Sequence, residues 1–194
     1  MTIKLPKLVA TSVVRGSQQG ESHGGIYTVD FESRAVEQHV DWNKSDIDFQ
    51  GRGADRGLRG IAFHDDDIYV AASDELFRYD RNFKILTSNK NRYLKHCHEI
   101  CRHRQTIFLT STGFDSLLAF DLVKRRYIWG FHLIRQYDQW AGHLFEPPSE
   151  MGPKPVNDYH INMVHVDDTG IYLSGIRTNA LLYINSNMEV SEVC

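Results

Sequence analysis

The sequence has few cysteines, no long apolar run and no concentration of basic charge. Its three cysteines, Cys97, Cys101 and Cys194, are too few and too unevenly spaced for a disulfide framework. No stretch approaches the roughly 18 consecutive apolar residues of a membrane-spanning helix. The N-terminal residues 1–6 also lack the apolar segment of a secretory signal. These absences predict a soluble, cytoplasmic protein.

The charge distribution argues against another class of partner. Acidic and basic residues are scattered along the chain, and they give a net charge of -3 with a pI near 6.3. Binding to a polyphosphate backbone needs a concentrated positive surface, so we expect neither a nucleic acid nor a membrane as partner. Motifs that would fix a reaction are missing too: the sequence has no phosphate-binding glycine loop before a helix, no Gly-x-Ser-x-Gly and no His-Glu-x-x-His.

What the sequence does contain is a repeat of short β-type segments. Each copy has an apolar run, a polar turn, a run of β-branched and aromatic residues, a small-residue break, an apolar run that ends in Asp or Asn, and a last strand. We label the four strand segments a, b, c and d. Full copies lie at 60–86, 99–131 and 162–191, whereas residues 8–40 match only segments b to d.

Four consecutive short strands with turns between them are typical of one antiparallel blade of a β-propeller. The sequence therefore predicts an all-β chain of about four four-stranded blades in a single domain, at about 8–56, 57–96, 97–158 and 159–194. The first blade has no strand a. We expect the chain to be part of a larger, six- or seven-bladed propeller. The alternatives are a compact four-bladed ring, a partner that supplies the missing strand, or a β-sandwich.

Two connections are longer than a blade needs. They are residues 43–58 and residues 133–159, and the second contains Tyr137, Trp140 and most of the prolines. Loops longer than about 12 residues in compact domains are often binding loops. We therefore expect the face that carries them to contact a ligand or a partner.

Cys97 and Cys101 are four positions apart, a spacing that occurs in some zinc sites. No second Cys/His pair at matching spacing completes a structural zinc site. The alternative interpretation is that both are strand cysteines that pack as small apolar residues.

Strand a lines the central channel of a propeller, and the first residues of this strand are unusually polar here. The second copy contains His98 and Glu99, and the third contains His160 and Asn162. Aligned on the strand b that follows, Glu99 matches Asn162, and side chains two positions apart point the same way along a strand. His160 should therefore point the same way as Asn162, and Cys97 the same way as Glu99. We expect the functional site to lie on the channel face that carries His98, Glu99, His160 and Asn162.

The breaks between segments b and c reach the same face and add Asp115 and Arg177. Carboxylate and amide oxygens suit Ca²⁺ or Mg²⁺, imidazoles suit Zn²⁺ or Mn²⁺, and arginine suits an anionic ligand. The sequence therefore predicts a divalent metal at the channel mouth. Its predicted ligands are His98, Glu99, His160 and Asn162.

The b and c segments of the second and third copies resemble those of NHL-like and SMP-30/gluconolactonase-like β-propellers. These segments are Ile107–Ser111 with Leu117–Asp121, and Ile171–Gly175 with Leu181–Asn185. Gluconolactonase-like members hold a divalent metal in the channel with Glu, Asn and Asp. The resemblance implies a similar role for Glu99 and Asn162.

Two functions remain open at this point. The first is a metal-assisted hydrolase or lyase that acts on a small polar or anionic substrate at the channel mouth. Its catalytic residues would be His98, Glu99 and His160, and its substrate-binding residues would be Asp115, Tyr137, Trp140 and Arg177. The second is a non-catalytic module in which the loop around Tyr137 and Trp140 binds a protein or a glycan. In either case, self-association or further blades would close the ring.

Overall fold

The computed structural model describes residues 5–43 and 57–193, so most of the predicted connection 43–58 lies outside the described residues. The described residues form antiparallel β-strands arranged as four sheets in chain order. None of them belongs to a helix long and apolar enough to cross a bilayer.

Each sheet is a meander in which neighbours in sequence pair with one another. The first sheet contains β1 (Leu8–Thr11), β2 (Gly25–Asp30) and β3 (Ala35–Asp41). The second contains β4 (Leu58–His64), β5 (Asp67–Ala72), β6 (Glu75–Tyr79) and β7 (Ile85–Lys90). The third contains β8 (Ile100–His103), β9 (Thr106–Ser111), β10 (Ser116–Asp121), β11 (Arg126–Gln136) and β12 (Gln139–Phe145). The fourth contains β13 (Ile161–Val166), β14 (Ile171–Gly175), β15 (Leu182–Ile184) and β16 (Val190–Glu192).

The first strands of successive sheets face one another, with β1 against β4, β4 against β8, and β8 against β13. This is the arrangement of blades around a propeller axis. The predicted all-β propeller of about four blades is confirmed. In the described part of the chain the first blade has three strands, and β1 corresponds to segment b.

Apolar cores fill the spaces between adjacent blades. Strands β9 and β10 show this most clearly, because side chains on both of their faces are buried. Ile107 and Leu118 face the core shared with the second blade, whereas Phe108 and Leu117 face the core shared with the fourth. Full burial of one such side chain contributes ~1.5–3 kcal/mol, so each blade is stabilised mainly by its neighbours.

The turn between strands c and d has the same chemistry in all four blades. Its first residue is Asp30, Asp80, Asp121 or Asn185, and a side-chain oxygen of that residue accepts hydrogen bonds from backbone N–H groups two to four positions later. These are Asx turns, in which the short side chain replaces a backbone acceptor. This explains why each copy of the repeat closes on Asp or Asn.

The prediction of a long loop over residues 133–159 is wrong for its first half. Strand β11 continues to Gln136, the chain reverses at Tyr137 and Asp138, and β12 returns to Phe145 as a fifth strand of the third blade. Both turn residues have positive φ, 49° and 62°, as a two-residue type I′ hairpin requires. Glycine usually occupies these positions, which is why the turn is hard to recognise.

Two glycines allow aromatic rings to pack closely between β11 and β12. A Cβ at Gly130 would collide with the ring of Phe145, and a Cβ at Gly142 would collide with the ring of Phe131. Each aromatic ring therefore covers a glycine on the opposite strand, a pairing that stabilises the edges of sheets.

The end of strand b in one blade holds the start of strand a in the next. The backbone N–H of Cys97 donates to the carbonyl of Ser73 at 2.8 Å. One blade further on, the buried Asp115 carboxylate accepts the N–H groups of Asp158, Tyr159 and His160 at 2.5, 3.0 and 2.9 Å. Because these donors precede β13, the b-to-c break fixes where the next inner strand begins.

We predict that Asp115→Ala lowers the free energy of unfolding by at least about 3 kcal/mol, because three backbone donors lose a charged acceptor. Denaturant unfolding followed by fluorescence measures this change. Asp168→Ala is the matched control: Asp168 lies on the surface beside Arg104, and the expected change is within about 0.5 kcal/mol. Equal stabilities of the two variants would contradict this role of Asp115.

Candidate functional site

The inner strands of the second and fourth blades enter their sheets through a β-bulge, and this alters the predicted alignment. Ile100 pairs with Leu109, and Val164 pairs with Leu173. Glu99 therefore corresponds to Met163, and the predicted match between Glu99 and Asn162 is wrong by one residue. The register shifts between Ile161 and Met163, so that Asn162 is the bulged residue. A bulge turns the side chains that precede it to the other face of the sheet.

With the bulges included, the inner-strand entry repeats position by position. Arg59, His98 and Asn162 occupy one equivalent position in their strands. Each lies two residues before the residue that pairs with the middle of strand b, namely Ile61 with Val70, Ile100 with Leu109 and Val164 with Leu173. At the entry to β8, the hydroxyl of Thr110 accepts the N–H groups of His98 and Glu99 at 3.1 and 3.0 Å. Each of these three blades therefore has one polar residue at the entry of its inner strand.

A cavity of about 370 Å³ lies where the end of β1 meets the entries of the inner strands of the second and third blades. It brings Arg59, His98 and Glu99 together, so that a cation, an imidazole and a carboxyl group share one space. Arg59 was not among the predicted site residues. The sequence could have indicated Arg59 through its position in the repeat: Arg59 lies two residues after Gly57, just as His98 lies two residues after His96. The full lining is Thr11, Ser12, Val13, Leu58, Arg59, Gly60, Ile61, His98 and Glu99.

Gly60 allows the inner strand of the second blade to lie close to the backbone of Glu99 and Ile100 in the third blade. A Cβ at Gly60 would lie 2.5 Å from the backbone nitrogen of Ile100 and 3.0 Å from the carbonyl carbon of Glu99. Any larger residue would push the two backbones apart and widen the cavity.

Glu99 has an unusual electrostatic environment. Its side chain is half-buried, and this burial raises the pKa of its carboxyl group, which a hydrogen bond from the Ile100 N–H opposes. Desolvation disfavours the charged form of any acid. Glu99 therefore keeps its proton to higher pH than an ordinary surface glutamate does.

His98 also contacts the fourth blade through His160. The two rings meet edge to face with centroids 5.3 Å apart. His160 is buried and has a φ of 56°, and its Nδ1 lies 3.0 Å from Oδ1 of Asn157. The structure thus brings His98, Glu99 and His160 into one chain of contacts, although His160 does not line the cavity.

Asp115 and Arg177 position this segment. Burial raises the pKa of the Asp115 carboxyl, and its hydrogen bonds from backbone N–H groups of residues 158–161 oppose that shift. Arg177 donates from Nη1 to the carbonyl of Asn157 at 2.7 Å. Both residues hold the backbone around His160, and neither lines the cavity. Their direct contact with a substrate stays a prediction.

Tyr137 and Trp140 do not form a joint binding loop. Tyr137 is fully exposed at the tip of the β11–β12 hairpin, whereas Trp140 is buried. The indole N–H of Trp140 donates to Glu192 at 2.6 Å, and its ring meets Tyr159 edge to face at 4.9 Å. Trp140 therefore joins β12 to the fourth blade as a packing residue.

The cysteines follow the apolar interpretation. Cys97 is buried in the core between the second and third blades, where burial raises the pKa of its thiol to about 12. Cys101 packs against the core between the third and fourth blades. Across residues 5–43 and 57–193, no three His, Cys, Asp or Glu side chains lie close enough to hold a metal ion. The predicted divalent metal at the channel mouth stays a prediction.

Comparison with known proteins supports the fold and gives no closer relationship. No protein-family model and no curated protein sequence matches the chain. Among solved structures, virginiamycin B lyase from Staphylococcus aureus, a β-propeller, superposes with a TM-score of 0.54 at 11% identity over 87% of this chain and 47% of that one. A chain of a mitotic checkpoint complex superposes with a TM-score of 0.52 at 10% identity over 95% of this chain and 59% of that one.

These identities show the fold alone. The chain spans about half the length of the lyase that it resembles. The similarity supports the broad β-propeller part of the predicted resemblance. Because one of these proteins is an enzyme and the other belongs to a checkpoint complex, the fold is compatible with catalysis and with binding.

The raised pKa of Glu99 predicts a pH-dependent effect of Glu99→Gln. The folded state binds the Glu99 proton more tightly than the unfolded state does, so wild-type stability falls as pH rises from about 4.3 through the folded pKa. At pH 7 the substitution removes a partly desolvated charge, and we expect a higher melting temperature than wild type. The difference should vanish below about pH 4.

Calorimetry at a series of pH values measures this difference. The control is Glu146→Gln, because Glu146 is exposed and the same substitution there should leave the melting temperature unchanged across the series. A Glu99→Gln variant that is less stable than wild type at pH 7 would contradict the desolvation of Glu99.

Proposed function

We propose that the protein is an enzyme that acts by acid–base chemistry on a small anionic substrate in the cavity at Arg59, His98 and Glu99. The observation that carries the proposal is the half-buried Glu99 carboxyl, with its raised pKa, in a cavity shared with a cation and an imidazole. Desolvated acids beside partners of other chemistry are concentrated at functional sites. The reaction class is hydrolysis or elimination, since both need proton transfer to or from the substrate.

The cavity sets the size of the substrate. A volume of about 370 Å³ lies near the lower end of the range for small-molecule sites. A monosaccharide-sized acid or a short carboxylate would fit this space, whereas a polymer would reach it only with its end. The substrate is therefore a small molecule, in line with the even charge distribution of the surface.

Each of the three side chains has a distinct role. Arg59 carries a permanent positive charge and pairs with the substrate anion. Glu99 exchanges a proton with the reacting group, because its raised pKa brings the carboxyl nearer to neutral pH. His98 lies beside it, where the Thr110 hydroxyl accepts its backbone N–H, and is the second proton-transfer group. His160 supports His98 through the contact between their rings.

The finer resemblance to gluconolactonase-like propellers adds a divalent metal to this proposal. Such an ion would draw on Glu99 and His98, with Asn162 from the fourth blade. The bulge places Asn162 in the position equivalent to His98 and not to Glu99, and the described residues hold no three-residue group of acidic, His or Cys ligands. Arg59, Glu99 and His98 therefore form the core of the proposed site. Metal analysis of the purified protein decides whether an ion binds there as well.

The test is a thermal-shift screen with a panel of small carboxylates, sugar acids and phosphate esters, run with and without EDTA. We expect a subset to raise the melting temperature of the wild type. Arg59→Gln should weaken binding of these compounds at least tenfold, because the anion loses its partner. Compounds that bind are then followed by proton NMR for turnover, which Glu99→Gln should lower by about 10²–10⁴-fold.

Arg102→Gln is the matched control for Arg59→Gln, since Arg102 is an exposed arginine of β8. It should leave every thermal shift unchanged. A panel in which no compound stabilises the wild type, or in which Arg59→Gln binds as tightly as wild type, would overturn the proposal. If EDTA abolishes every increase in melting temperature, the compounds bind through a metal ion.

A further inference from the structure

A second group of potential ligands lies on the β11–β12 hairpin, away from the channel cavity. His132 and His143 are direct partners across the two antiparallel strands. Side chains of such a pair leave the sheet on the same face with Cβ atoms ~5 Å apart. Two imidazoles at this separation can reach the same ion.

The hydrogen bonds of His132 fix its ring in the form that binds metals. Its Nδ1 lies 2.9 Å from the carbonyl oxygen of Phe114 and 3.3 Å from the hydroxyl of Ser116. A carbonyl oxygen only accepts, so Nδ1 carries the proton, and Nε2 has the free lone pair. Histidines that bind metals commonly donate their other ring nitrogen to a backbone carbonyl in this way.

A third ligand faces the same space. His132, His143 and Met151 line a cavity of about 220 Å³ together with Leu144, Phe145, Gly152 and Pro153. Met151 is 90% exposed, so its thioether has room to move towards the imidazoles.

The backbone that carries Met151 is fixed. The hydroxyl of Tyr93 donates to the carbonyl of Ser149 and accepts the N–H of Gly152, both at 2.9 Å. The N–H of Met151 donates to the side chain of Ser149 at 3.0 Å. The backbone is therefore anchored on both sides of Met151, and this keeps the residue beside the cavity.

The donor set identifies the metal. Two imidazoles and one thioether, in a cavity whose lining has no carboxylate and no thiolate among the described residues, offer soft and borderline ligands only. Ca²⁺ and Mg²⁺ need oxygen ligands, and a structural zinc site normally needs four ligands. Thioether ligands favour Cu(I). We propose that His132, His143 and Met151 form a Cu(I) site on the outer edge of the third blade.

The site is independent of the proposed active site. The two cavities have no lining residue in common, and the copper site depends on β12, the fifth strand that the third blade adds to the four-stranded pattern. Binding of Cu(I) would fasten β12 and the segment around Met151 to one another.

The test is an anaerobic titration of the protein with Cu(I) against the chromogenic chelator bicinchoninate, with ascorbate present. The background carries Cys101→Ser and Cys194→Ser, because thiols bind Cu(I) strongly. We expect one equivalent of Cu(I) to bind. His143→Ala and Met151→Leu should each weaken that binding at least tenfold, and X-ray absorption should show nitrogen and sulfur ligands.

The matched controls are His165→Ala, which removes an exposed histidine of β13, and Met188→Leu, which replaces a half-buried methionine that packs against the core between the third and fourth blades. Both should bind Cu(I) as the background protein does. Neither His143 nor Met151 is buried, so circular dichroism should show that both test variants fold. Absence of stoichiometric Cu(I) in the background protein, or unchanged affinity in either test variant, would overturn the site.

Discussion

The interaction on which the blades depend is the polar clamp between the end of strand b and the next inner strand. A propeller blade cannot pair its inner strand with a neighbouring sheet, so the backbone at the strand entry needs other acceptors. Asp115 supplies them between the third and fourth blades, and Ser73 does so between the second and third. Because the clamps set where each inner strand begins, they also determine which side chains reach the channel.

The candidate site follows from that constraint. The entries of the last three inner strands put one polar residue each at an equivalent position, namely Arg59, His98 and Asn162. Gly60 lets the second blade come close enough for Arg59 and Glu99 to line the same cavity. The resulting burial raises the pKa of Glu99. The approach of the two blades thus brings a partly desolvated acid and a cation to one cavity, and this arrangement suits proton transfer on an anion.

The sequence predicts the blades well because their signals are local. Asp or Asn at the c–d turn and the continuous apolar runs in β9 and β10 act within a few positions. Features that depend on two distant segments were missed. The type I′ turn at Tyr137 has no glycine, and β12 is held by ring-over-glycine contacts across strands. The bulge at Asn162 shifted the alignment of the third copy against the second by one residue. Arg59 becomes recognisable as a site residue only when the copies are aligned with the bulges taken into account.

Hydrogen exchange at the residues before β13 tests the central claim most directly. The amide protons of Asp158, Tyr159 and His160 lie in a segment without strand structure, yet each donates to the buried Asp115 carboxylate. The clamp predicts that they exchange as slowly as the paired amides of β13, because their release requires separation of the third and fourth blades. Exchange at the rate of an exposed loop would contradict the clamp and the site that depends on it.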